Sequence, residues 1–139
     1  MICLVGVALC CTLASCEGTA AGREDEKKAA IAAAETWLEL VDEGKYGESW
    51  ENAAAFFKRV VTTQQWLQQI EPIRNALGKV QLRELKGAEY RTALPGAPDG
   101  EYVVIQFTSS FEHKKKAVET VTPMLDDDGT WRVSGYYIE

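Results

Sequence analysis

The sequence predicts an α+β domain in which three N-terminal helices precede, and pack on, a four-stranded antiparallel sheet. Up to Gly78 the apolar residues recur at helical spacing. Beyond Gly78 they alternate, with β-branched and aromatic side chains enriched, as strands require. The switch occurs once, so helices and strands are segregated along the chain.

The first segment lies outside that domain. Residues 1–15 read as a secretory signal: Ile2 to Ser15 carries no charge and is mostly Val, Leu, Ala, Ile and Cys. Fourteen such residues fall short of the roughly 20 needed to cross a bilayer, so cleavage is expected instead of a membrane span. The basic residues usual before the apolar run are replaced by the amino terminus alone, which an upstream start would explain. A short polar tether, residues 16–23, then leads to the domain, residues 24–139.

The first helix is drawn by Ala30, Ala34, Trp37, Leu38 and Val41, with a charged first turn at Glu24 to Lys28 and Gly44 placed to end it. A shorter helical segment spans Ser49 to Val61, with Trp50, Ala53, Phe56, Phe57 and Val60 as apolar contacts. Thr62 and Gln65 have capping-box spacing and open a third helix. Its stripe is Trp66, Ile70, Ile73 and Leu77, Pro72 is expected to kink it, and Gly78 caps its end.

Four strands follow. Val80 to Leu94 is broken at Gly87, a candidate bulge. The turn-forming run Leu94 to Gly100 leads to Glu101–Glu112, where Val103, Ile105, Phe107 and Phe111 share a core-facing side. Ala117 to Leu125 is third, and the Asp126-Asp127-Asp128-Gly129 turn leads into Trp131 to Ile138. The three aspartates read as a turn, because the EF-hand spacing and its closing Glu are missing. Lys114-Lys115-Lys116 beside His113 reads as a solvated hairpin tip.

Removing residues 1–15 leaves roughly 124 residues, enough for one hydrophobic core. All 15 basic and 21 acidic residues lie after the cut, so the net charge stays at −6 and argues against nucleic acid as a partner. No cofactor is expected: glycine-rich phosphate cradles are missing, and a triad or multi-histidine metal site would depend on His113 alone.

Leu13-Ala14-Ser15-Cys16 resembles the lipobox of bacterial lipoproteins, in which the chain is cut before the cysteine and its thiol acylated. The resemblance implies membrane lipid, palmitate among it, attached through Cys16, in a cell-envelope protein facing the periplasm. Glu17 is not the aspartate associated with inner-membrane retention, which favours the outer membrane. All four cysteines (Cys3, Cys10, Cys11, Cys16) fall at or before the cut, so no thiol remains to pair with Cys16. Two or more acyl chains hold a soluble domain stably where one binds only marginally.

Helices followed by a four-stranded meander resemble the cone of cystatin-like and nuclear-transport-factor-like domains, in which a curved sheet wraps a long helix. A closer resemblance rests on four stretches: Trp37 to Asp42 with Gly44, Tyr46 and Ser49-Trp50; Leu94 to Tyr102; Val121-Thr122-Pro123-Met124; and Gly129 through Ile138. These are similar to the secreted bacterial family called domain of unknown function 4019. That resemblance implies fold and secretion, and carries no activity with it.

Some cone-shaped relatives are isomerases or cyclases with a buried carboxylate base beside a tyrosine, although fold alone does not grant that chemistry. Glu119 is the candidate base, since alternation puts it with Ala117, Val121 and Leu125. The competing and favoured reading is a surface glutamate, or one paired with Arg132, because charged residues are rarely fully buried. The opposite face, Val118, Thr120, Thr122 and Met124, is equally able to point inward. Tyr102, Tyr136, Tyr137 and Trp131 could line a binding surface or be cross-strand packing. The expected function is a non-catalytic binding or interaction module whose partner is a protein or a small apolar ligand. The alternatives are a small-molecule isomerase or cyclase and a structural homodimer formed through the sheet.

Overall fold

Ala30, Ala34 and Leu38 recur four residues apart, and in the computed structural model, which describes residues 20–139, they are completely buried along one side of helix α1 (Ala20–Asp42). Trp37 and Val41 widen that stripe. The chain is already helical at Ala20, so residues 20–23, expected in the tether, belong to α1. Two alanines favour helix there, and the Arg23 guanidinium lies 5.9 Å from the centre of the Tyr90 ring. The expected signal segment and Cys16 lie outside the described residues.

The segment expected as one short helix is two: α2 (Tyr46–Glu51) and α3 (Ala55–Val60), giving four helices among the described residues. They break at residues 52–54 because the Ala54 N–H leaves the helical pattern and donates to the Val133 carbonyl at the sheet edge (2.8 Å). The two short helices meet the core through different residues, Ser49 in α2 and Phe57 in α3.

Helix α4 (Thr63–Leu77) opens with the expected capping box. The Gln65 N–H donates to Thr62 Oγ1 (3.2 Å), and the Thr62 N–H donates to Gln65 Oε1 (2.9 Å). The helix runs through Pro72, which is exposed, and ends at Gly78 with φ 75°. A side chain at Gly78 would be strained there, and its Cβ would meet Glu112 Oε2 at 2.6 Å. The buried stripe of α4 differs from expectation: Trp66, Ile70 and Arg74 point inward, while Ile73 is 47% exposed. The strict four-residue interval from Trp66 through Ile70 falls on Arg74.

Strands β1 (Val80–Arg91), β2 (Tyr102–Phe111), β3 (Lys114–Leu125) and β4 (Trp131–Ile138) form an open antiparallel sheet in chain order. Pairing of β1 with β2 slips at Gly87, as expected. Strand β3 starts at Lys114, so the lysine run is extended backbone and the turn proper is Glu112-His113. Val103, Ile105, Phe107, Val121, Trp131 and Val133 cover the side of the sheet that faces the helices. Each such side chain, when fully buried, contributes roughly 1.5–3 kcal/mol. Among the described residues no helix is long and apolar enough to cross a membrane.

Candidate functional site

Four tryptophans crowd this small domain, and each indole N–H needs an acceptor if it is to be buried. Trp37 donates to the Ser49 carbonyl (2.8 Å) and Trp66 to Ser49 Oγ (2.9 Å); that hydroxyl in turn donates to the Tyr46 carbonyl (2.7 Å). Trp50 donates to the Val61 carbonyl and Trp131 to Glu26 Oε2. The Trp37 ring contacts those of Trp66 and Tyr136 at 5.7 and 5.4 Å between centroids, so aromatic rings fill the space between helices and sheet.

Beyond those rings lies a group of charges. Strand alternation puts Glu119 beside Ala117 and Val121 on the inward face of β3, where it is fully buried. Its two oxygens accept four hydrogen bonds. Oε1 takes Arg83 Nε (2.7 Å) and Ser109 Oγ (2.5 Å); Oε2 takes Arg83 Nη2 (3.1 Å) and the Tyr136 hydroxyl (2.5 Å). The expectation of a surface glutamate, or of a pair with Arg132, is therefore corrected. Arg132 lies at the other end of β3 and holds Asp126 and Asp128 (3.1 and 2.9 Å), while the pleat aims Glu119 at β1.

Arg83 bridges two carboxylates. Beyond Glu119 it donates to Asp42 at the end of α1, from Nη1 to Oδ2 (2.7 Å) and from Nη2 to Oδ1 (3.0 Å). Arg74 of α4 adds a third contact to Asp42 (2.8 Å). Burial works against the charge of Arg83, but hydrogen bonds to Asp42 and Glu119 outweigh it and hold its pKa above the ordinary arginine value. The Tyr136 hydroxyl is pushed well above its usual pKa, first by burial and then by the charge of Glu119 and the hydrogen bond to it. Two guanidiniums offset two carboxylates, and α1, α4 and all four strands contribute to this network.

This geometry restrains a proton. A general base needs a lone pair aimed at substrate, whereas both Glu119 oxygens are taken by donors of the protein itself. A surface depression of about 310 Å³ is lined by Asp42, Tyr46, Arg74, Gly78 and Glu112 among others, and Glu119 is not part of its wall. Arg74 Nε and Nη1 have no hydrogen-bond partner among the described residues, yet they too are buried, with the guanidinium carbon 5.1 Å from the centre of the Phe111 ring.

The other residues singled out in the sequence do not converge on this network. His113 is exposed on the β2–β3 turn. Tyr102 is buried beneath the Leu94–Gly100 run and donates to the Pro98 carbonyl (2.5 Å). Trp131 is buried and Tyr137 is 53% exposed, so of the four candidate surface aromatics only Tyr136 reaches Glu119. The aspartate turn holds Arg132, and Asp126 also accepts from the Ala55 N–H at 3.3 Å.

Sequence reasoning missed Asp42, Arg74, Arg83 and Ser109. A signal for three of them was present: Ala30, Ala34, Leu38 and Asp42 form one unbroken four-residue series, as do Trp66, Ile70 and Arg74. A charge on the next rung of an apolar stripe marks a buried ion pair when a second stripe ends on the opposite charge. Ser109 likewise sits between Phe107 and Phe111 on the core face of β2. Arg83 gave no such sign, because β1 is mostly exposed.

No match was found among curated proteins or among solved structures. Residues 33–136, from the middle of α1 to Tyr136 in β4, match the profile of a family described as protein of unknown function (DUF4019). The match spans every element that builds the charge network, and the chain belongs to this family.

Proposed function

We propose that this protein is a non-catalytic interaction module of the bacterial envelope, anchored through an acylated Cys16, with a cystatin-like or nuclear-transport-factor-like cone as its fold. One observation carries the non-catalytic part: Glu119, the one carboxylate placed as a base would be, is fully buried with both oxygens saturated by Arg83, Ser109 and Tyr136. Its role is to clamp β3 to β1 and, through Arg83, to the end of α1. The aromatic filling between helices and sheet speaks for a partner met at the surface. The anchor rests on the Leu13-Ala14-Ser15-Cys16 signal and on the lack of any later cysteine.

Metabolic labelling with an alkyne fatty acid, followed by fractionation, tests the anchor. The wild-type chain is expected in the membrane fraction carrying label, and Cys16→Ala soluble without it; an unlabelled, soluble wild-type chain overturns the anchor. Mass spectrometry of small molecules that co-purify with the full chain tests the rest. A compound retained by the wild type and turned over by it, but not by a folded Glu119→Gln chain, overturns the non-catalytic reading.

A further inference from the structure

The helices pack on the side of the sheet that carries Ile105, Phe107 and Val121. Alternation turns Gln106 and Thr120 to the other side, which is open to solvent at Leu82, Thr108 and Tyr137. The Leu94–Gly100 run folds over one end of that side, at Tyr102. The pairing register lines up one row across the rest: Gly87 of β1 opposes Gln106 of β2, Gln106 opposes Thr120 of β3, and Thr120 opposes Tyr137 of β4. Directly opposed residues point the same way, so all four share the open side.

The two ends of this row are opposite in shape. Tyr137 stands up from β4 with 53% of its surface exposed. At Gly87 a Cβ would meet nothing within 4 Å, and the space belongs to a depression of about 210 Å³ lined by Gly87, Ala88, Glu89, Val104 and Gln106. Between the ends, Thr120 is only 7% exposed, and its hydroxyl has no partner among the described residues, so covering it takes no hydrogen bond from water. Val104, Gln106 and Thr108 of β2 and Val118, Thr120 and Thr122 of β3 form the middle of the open side without one charge, on a chain whose residues are 26% charged. Depletion of charge marks the centre of a protein interface.

Resting on the reading above of a partner met at the surface, we infer that the open side of the sheet docks a second copy of this chain, with Tyr137 of each copy seated in the Gly87 depression of the other. Sequence alone offers a homodimer through the sheet among its alternatives; the register gives it an axis and contacts. A two-fold axis along the strands, between β2 and β3, turns one open side onto the other and lays β1 of each copy over β4 of its mate. The row then meets itself: Tyr137 faces Gly87 twice, with the Glu89 carboxylate in the wall as acceptor for the tyrosine hydroxyl, and Gln106 faces Thr120. Four strands about 4.8 Å apart and the eight residues of β4 at ~3.4 Å each give a face of roughly 19 by 27 Å. Two such faces bury on the order of 1,000 Å², the size at which specific interfaces begin. The same axis keeps the first turns of both α1 helices at one end, because Arg23 lies on Tyr90 and Glu26 holds Trp131 at the end where Arg91 pairs with Tyr102. Two chains acylated at Cys16 can therefore share one bilayer.

Cysteine crosslinking tests the register, since no cysteine follows Cys16. Gly87→Cys and Tyr137→Cys are placed in two differently tagged full-length chains, co-expressed, and treated in membranes with a short bismaleimide. Across the proposed interface these two positions lie about 10 Å apart, the spacing of stacked sheets, whereas like positions lie about 17 Å apart. The mixed pair is expected to yield a species carrying both tags, and either variant alone to yield none. No mixed species, or equal crosslinking of the single variants, overturns the inference. Sedimentation equilibrium of the full-length chain in detergent supplies the energetics: Tyr137→Lys and, independently, Gly87→Gln are expected to raise the dimer dissociation constant at least tenfold, and Glu35→Gln on the exposed side of α1 to leave it unchanged. A dimer indifferent to both Tyr137→Lys and Gly87→Gln also overturns the inference. A chain that stays monomeric yet crosslinks to a different protein through Tyr137→Cys overturns this inference and leaves the surface-partner reading standing; wild type crosslinked through an unacylated Cys16 overturns the anchor alone.

Discussion

Arg83 and Arg132 each bridge two carboxylates with contacts near 3 Å, and there the likeness ends. Arg83 joins Asp42 and Glu119 between helices and sheet, with Glu119 fully buried; Arg132 joins Asp126 and Asp128 at a turn where Asp128 is exposed. Buried ions gain little on balance, because the loss of hydration offsets their attraction, but removing one partner leaves the other uncompensated. Exposed pairs are screened by water and salt, so either partner can be lost cheaply. The same pair of residue types therefore makes a clamp in one place and a turn ornament in the other.

The sharpest way to break this comparison is Arg83→Met, which leaves Glu119 and Asp42 without their shared partner. Urea unfolding should show a loss of roughly 3–5 kcal/mol. A loss no greater than that of a surface substitution would show that Glu119 is rehydrated, and the clamp would have to be abandoned.

Tyr136→Phe comes next, since it takes one donor from Glu119 and leaves three; the expected cost is ~1.5–3 kcal/mol near neutral pH. Its pH dependence sharpens the point. The tyrosine pKa is raised in the folded state, so its stabilisation is complete below the unfolded value near 10 and is lost as pH rises through the folded value. Unfolding followed from pH 8 upward should show a shallower alkaline decline in Tyr136→Phe than in wild type. Tyr90, raised to about 12 first by its hydrogen bond to Glu101 and then by burial, supplies a decline that both proteins share.

The smallest effect belongs to the turn. Hydrogen bonds from Arg132 and from the Thr130 N–H hold Asp128 down to about 2, so its contribution is present above the unfolded carboxylate value near 4 and fades as pH falls toward 2. Arg132→Gln should weaken that acid dependence while moving the neutral-pH unfolding midpoint by only a small part of the Arg83→Met shift. A large shift at pH 7 would mean that the turn also holds α3, where the Ala55 N–H donates to Asp126.

Much of the fold was legible because local rules and tertiary packing agree. The capping box at Thr62 and Gln65, the stop at Gly78, the slip at Gly87 and the alternation of Val103, Ile105 and Phe107 are each set by neighbours in sequence. The break between α2 and α3 was not legible, since it depends on Val133, nearly eighty residues away, offering a carbonyl to Ala54. The charge network was half legible: Asp42 and Arg74 stood on the rungs of apolar stripes, yet nothing local said that Asp42 would hold both Arg74 and an arginine of β1.

The sequence by itself determined the order of elements, the α+β class and the alternation that puts Glu119 on one strand face with Ala117 and Val121, because side-chain direction repeats with the backbone period, while packing decided that this face turns inward. Only the tertiary structure decided which donors would surround that inward carboxylate. The chemistry of a carboxylate is set by what surrounds its oxygens, and here the surrounding donors come from three strands, while the second carboxylate held by Arg83 comes from a helix.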